Sequence, residues 1–144
     1  MSKIPQKLIL EGRESLHMLN SVVMQSPLAG VSDHVFRKLV RRWAPDSLLF
    51  TEMVNASSLK LGHGVKKIEG LSKDSGPIGV QLLDYRPQAM AEAAKRAEAA
   101  GAFLIYINMG CPVKKVSKKG GGSGLLKNPL LAAEIVKAIT NAVQ

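Results

Sequence analysis

Four short apolar runs, each ending in polar residues and each followed by helical spacing, constrain this chain more than any other feature. They are Val22-Val23-Met24-Gln25, Leu48–Met53, Ile78–Leu82 and Phe103–Asn108. Nearly continuous apolar character predicts strands covered on both faces, the signature of a parallel sheet. Strands that alternate with helices predict the same arrangement. Two α/β architectures fit: a small doubly wound sheet, or part of a (β/α)8 TIM-type barrel. Four βα units make half of such a barrel, which takes about 250 residues in full.

The connecting segments carry the helix signals. After the first run, Ser32 stands where an N-cap belongs. Val35, Phe36, Leu39, Val40 and Trp43 then share one apolar face, with Arg37, Lys38, Arg41 and Arg42 on the others. A short helix is expected near Asn55–Leu61, and residues 62–76, broken by Gly62, Gly64 and Gly70, read as a loop. Pro87 opens an alanine-rich helix that runs to about Ala100 and stops at Gly101. Lys114–Gly124 reads as a basic, glycine-rich loop. Asn128-Pro129 opens a last helix with an apolar stripe of Leu131, Ile135, Val136 and Ile139. Residues 1–20 show no clear period and are expected to form an N-terminal extension to one unit spanning 21–144.

Composition narrows the partners. The chain has 144 residues, of which 46% are hydrophobic, enough for a real core. No run approaches the roughly 18 apolar residues of a membrane span, and the first residues lack the apolar core of a signal peptide. A single cysteine makes no intrachain disulfide, so a reducing, cytoplasmic setting is expected. The net charge of +9 favours a polyanionic partner, with nucleic acid first. Aromatic residues make up only 4%, so backbone charge and a base pocket, rather than a stacking platform, would have to hold RNA.

In either architecture functional groups gather at the carboxyl ends of the strands. Here those ends hold Ser26-Pro27, Thr51-Glu52, Gln81, and Asn108 with Cys111, so a shared ligand site is expected on one rim. Cys111 is the candidate for chemistry, against the alternative of a buried structural thiol. A metal site is not expected, because His17, His34 and His63 have no ligand spacing with it. A hydrolytic nucleophile would want a histidine base, and none follows Cys111. A thiol, mostly protonated at neutral pH, can instead act as a general acid. Lys114, Lys115, Lys118 and Lys119 follow closely and are candidates for phosphate contact, against the alternative of a solvated loop. The run Gly120-Gly121-Gly122-Ser123-Gly124 lacks the lysine of a P-loop and follows no strand, so packing or flexibility is its expected role.

These residues resemble a known family. Pro27-Leu28-Ala29-Gly30-Val31-Ser32-Asp33 with Phe36-Arg37, then Thr51-Glu52-Met53, Gly79-Val80-Gln81-Leu82 and Ile107-Asn108-Met109-Gly110-Cys111-Pro112 look like successive segments of the tRNA-dihydrouridine synthases. Lys115-Val116 and Gly121-Gly122-Ser123-Gly124-Leu125-Leu126 complete the likeness, which runs over about residues 21–144. The resemblance implies the first half of an FMN-binding (β/α)8 barrel. It implies that NADPH reduces FMN, that the flavin passes hydride to C6 of a uridine in tRNA, and that Cys111 protonates C5. Pro27 and Leu28 would border the flavin, Gln81 would hydrogen-bond its ring, and Asn108 would touch flavin or substrate. Glu52 sits at a matching acidic position, and Tyr106 stands where the family often has aspartate. The family's later flavin-contacting and tRNA-binding parts have no counterpart in these residues, so weak FMN binding and self-association, or a partner half-barrel, are expected. Two other readings are a non-catalytic family fragment with a basic RNA- or protein-binding surface, and another FMN barrel such as a dihydroorotate dehydrogenase.

Overall fold

The computed structural model describes residues 8–11, 16–19, 23–69, 71 and 76–144. Its centre is a parallel sheet. Among the described residues the first strand shows as one parallel bridge, Met24 to Leu48, in which Gln25 N–H donates to the Leu48 carbonyl at 2.9 Å. Val22, placed in that strand from the sequence, lies outside the described residues. The second strand is split into β3 (Leu49–Phe50) and β4 (Val54–Asn55). Both pair in parallel with β5 (Ile78–Leu83), which also pairs in parallel with β6 (Leu104–Ile107). The strand ends of this sheet therefore lie on one rim, and the fold is the first half of a (β/α)8 barrel.

The split in the second strand is a β-bulge. Leu49 faces Ile78 and Phe50 faces Gly79, but Val54 faces Leu82, so Thr51–Met53 hold one residue more than the facing stretch of β5. Thr51 bridges the gap: its N–H donates to the Gly79 carbonyl at 2.9 Å, and its Oγ1 accepts from Gln81 N–H at 3.4 Å.

Side chains of the sheet sort by face. Ile78, Val80 and Leu82 pack under α3 (Pro87–Ala99) and α5 (Pro129–Ala142), against Met90, Ala94, Ala97, Ile135 and Ile139. Leu48, Phe50 and Leu104 form a separate inner cluster, and the Phe50 and Tyr106 rings meet at 5.5 Å. Gly79 is needed there, because a Cβ on it would lie 2.4 Å from the Phe50 ring. Asn128 caps α5 by accepting from Leu131 N–H, as expected, although Val136 stands outside the buried stripe.

Residues 1–20 include an antiparallel pair, β1 (Leu8–Glu11) with β2 (Leu16–Leu19), separate from the parallel sheet. Four expectations need correction. The cap of α1 (His34–Trp43) is Asp33, which accepts from Phe36 N–H; the Ser32 hydroxyl instead exchanges bonds with the backbone of Leu28. That helix also presents a different face inward. Val35, Leu39 and Trp43 are exposed, while Arg37 is buried and donates to the Ser32 carbonyl. Arg41, one turn on, donates to the carbonyls of Pro45, Ser47 and Pro77. Guanidiniums that satisfy loop carbonyls thus outrank the apolar stripe. Finally, Lys114–Gly124 is no loop. It forms α4 (Lys114–Ser117) and enters a 3-10 turn at Gly122–Lys127, while α2 (Ala56–Lys60) is followed by a 3-10 turn at Val65–Lys67 that carries Ile68 and Leu71 into the core.

Candidate active site

The site begins where β6 ends. Asn108 N–H still donates to the Leu82 carbonyl at 2.9 Å, so its backbone belongs to the sheet. Its side chain then turns the chain outward: Oδ1 accepts from Gly110 N–H at 3.1 Å and from Cys111 N–H at 2.9 Å. An asparagine carbonyl that bonds its own backbone two and three residues on is a local turn device. Its amide nitrogen lies 3.6 Å from the Met53 sulfur, which ties the turn to the bulge.

Cys111 is half-buried and held from the other side by the glycine run. Ser123 N–H donates to the Cys111 carbonyl at 3.0 Å. Gly122 has φ +55° and a Cβ there would lie 2.7 Å from that carbonyl oxygen. A Cβ on Gly124 would lie 2.5 Å from the Ser117 carbonyl oxygen. The run therefore serves close packing around Cys111 and α4.

The first turn is joined to the same rim through Glu52. Its carboxylate accepts from Gly30 N–H at 2.6 Å and from Lys67 Nζ at 3.4 Å. Glu52 is thus a tether for the turn that carries Pro27 and Leu28. Those two reach Asn108 only indirectly, through Glu52 and Met53. Gln81 stands on the inner face of β5, directly across from Tyr106. It is only 7% exposed, and no hydrogen bond holds its carboxamide among the described residues, so its donors and acceptor stay available to a ligand on this face.

Asp84, just past β5, escaped the reading of the sequence. It is 3% exposed and accepts from the N–H groups of Ser57, Tyr85 and Arg86, from the Ser57 hydroxyl, and from the Arg86 guanidinium at 3.0 and 3.2 Å. Burial is the largest single influence and pushes its carboxyl up. The bonds from Arg86, Ser57 and Tyr85 together outweigh burial and leave the group below its ordinary value. One carboxylate so fixes the starts of α2 and α3. The clue in the sequence was an aspartate at a strand end, three residues ahead of Pro87.

Of the four lysines, Lys115 and Lys119 line a cleft between α2, α3 and α4, and Lys114 and Lys118 do not. Spacing of four residues puts each pair on its own side of the turn. Among the described residues no three His, Cys, Asp or Glu side chains cluster as a metal site, and no helix is long and apolar enough to cross a membrane.

Comparison with known proteins gives these features a family. The dihydrouridine synthase family model matches residues 24–144. The chain is 51% identical over 125 residues to a probable tRNA-dihydrouridine synthase 1 of Synechocystis sp., covering 87% of this chain and 35% of that protein. It is 40% identical over 129 residues to tRNA-dihydrouridine synthase B of Vibrio parahaemolyticus, covering 88% and 39%. A probable tRNA-dihydrouridine synthase of Rickettsia conorii is 39% identical over 128 residues, with 88% and 38% covered. The chain thus spans somewhat more than a third of the length of these relatives. With a match over residues 24–144 and a half-barrel that carries Cys111 on its rim, this chain belongs to the dihydrouridine synthase family.

Proposed function

We propose that this chain forms the half of a tRNA-dihydrouridine synthase that carries the proton donor, in an oxidoreductase that reduces uridine in tRNA to 5,6-dihydrouridine in the cytoplasm. The single observation that carries the reading is the double hydrogen bond from the Gly110 and Cys111 N–H groups to Asn108, which fixes the backbone of Cys111 on the rim just past β6.

The residues present fit a flavin. The Gln81 carboxamide has donors and an acceptor to give a heterocyclic ring, and Pro27 and Leu28 offer apolar surface on the same rim. Bound FMN, reduced by NADPH, supplies the hydride for C6 of the uracil. Asn108 holds the Cys111 backbone, and the Cys111 thiol gives its proton to C5, quenching the enolate-like charge left in the pyrimidine ring. The glycine run backs Cys111 and fixes its approach. The target base must leave its stack to reach this depth.

The test is a chimera in which this chain replaces the matching stretch of the Synechocystis relative. Cys111→Ala in that chimera should still bind tRNA and form dihydrouridine about 100-fold more slowly or worse. Unchanged turnover would overturn the role of Cys111.

A further inference from the structure

The cleft between α2, α3 and α4 does not count Cys111 among its lining residues. Its volume is about 970 Å³, and five basic side chains line it: Lys60, Arg86, Arg96, Lys115 and Lys119. The geometry points to a binding site for the phosphodiester backbone of RNA in this cleft. The inference rests on tRNA being the substrate and names where its backbone is held.

Three observations carry it. First, the two arginines are fixed by protein contacts. Arg86 is held by Asp84, and Arg96 donates one N–H to the Leu59 carbonyl at 2.9 Å. Each guanidinium has five N–H donors, so most remain for a ligand, at little further ordering cost. Second, basic side chains outnumber acidic ones in the lining by five to two. Of the two acids, Asp84 is saturated by its six donors, and exposed Glu92 lies 3.7 Å from Lys95 outside the cleft. The field in the cleft is therefore positive, in a chain of net charge +9. Third, three lining segments adjoin strand ends: 55–61 at the end of β4, 83–89 at the end of β5, and 115–121 after the Cys111 turn, while Glu92, Ala93 and Arg96 carry the cleft on along α3. Its end at Asp84 and Gly121 adjoins the Cys111 turn, where the strand flanking an extruded base has to pass. An aliphatic floor beneath lysines and arginines suits a ribose-phosphate chain, which offers charge outside and sugar surface below.

The experiment measures anisotropy of a labelled tRNA transcript titrated with this chain, across a salt series. Lys60→Ala with Lys119→Ala should weaken binding about tenfold or more, and lower the slope of log K against log salt by about 2. The control, Lys38→Ala with Lys137→Ala on α1 and α5, should change affinity less than about twofold. Both pairs are exposed lysines, and circular dichroism checks that both variants fold. Equal losses in the two variants would overturn the cleft while leaving tRNA as the partner. Absence of binding by the unaltered chain at low salt would overturn it too, with the Cys111 chimera still free to succeed. Displacement of the transcript by millimolar uridine monophosphate would replace a backbone site with a mononucleotide site.

Discussion

The Cys111 carbonyl oxygen occupies the space that a Gly122 side chain would need, 2.7 Å from the ideal Cβ position. The backbone of Gly122 is also left-handed, so the contact is steric and conformational together. The glycine run acts as a backstop that sets how far the thiol turn can recede.

Gly122→Ala should therefore cost about 1–3 kcal/mol of stability, from a left-handed alanine and a backbone clash. It should also shift the rate at which Cys111 reacts with a thiol reagent by severalfold. Thermal unfolding and labelling kinetics read both, and no change in either would show that the contact is slack.

Asn108→Ala should release the Gly110 and Cys111 N–H groups and leave Cys111 poorly aimed. In the chimera, kcat should fall about tenfold or more with KM nearly unchanged, because a proton donor acts in the transition state and not in binding. Asn108→Asp keeps the acceptor and should restore part of the rate. A loss confined to KM would assign Asn108 to substrate binding.

Gln81→Leu separates folding from function. Replacing a carboxamide that makes no hydrogen bond among the described residues with an apolar side chain of similar size should leave the stability of this chain within about 1 kcal/mol. The same change should strip flavin absorbance from the chimera. A destabilised chain, or a variant that stays yellow, would mean the amide has another purpose.

Asp84→Asn tests the joint between α2 and α3. The Asp84 carboxyl lies below its ordinary value when folded, so its stabilisation is complete above the unfolded carboxylate range and is lost as pH falls through the folded value. Near neutral pH the variant should be less stable by about 2 kcal/mol. The gap should close in the acid limb, below about pH 4. A gap constant with pH would mean the effect is not one of charge.

Self-association is the fifth expectation. Among the described residues β6 has only β5 beside it, Met24 and Tyr106 are exposed, and so is the α1 stripe of Val35, Leu39 and Trp43. Open edges and uncovered apolar surface invite pairing. Light scattering over a concentration series should show mass rising with concentration, and a constant monomer mass at tens of micromolar would refute it.

Much of this was legible in the sequence because the parallel strands are apolar on both faces and their ends are polar. Pro87, Gly101 and Asn128-Pro129 marked helix limits by local chemistry alone. The rest depended on long-range partners. Arg37 and Arg41 face inward because carbonyls at Ser32, Ser47 and Pro77 await them, and no helical period reveals that. Asp84 matters because Ser57 is beside it, 27 positions earlier in the chain. Gly79 and Phe50 are complementary only after their strands pair. The lysine run split into two sides once a turn of α4 gave it direction.

The bulge at Thr51–Met53 makes the second strand count in two phases. Leu49 and Val54 are five positions apart, an odd number, yet both pack into the layer beneath the helices. In an unbroken strand odd neighbours face opposite ways. The segment between them works as a half-period slip that lets one strand serve two alignments. Deleting one of the three would leave Leu49 and Val54 four positions apart and still on one face, matched to Ile78 and Leu82, so the core would keep its register. The loss would fall on the bulge itself, pulling the Glu52 tether and the Met53 contact out of step with Gly30 and Asn108. The spacing between the core and the thiol is thus written in residue count.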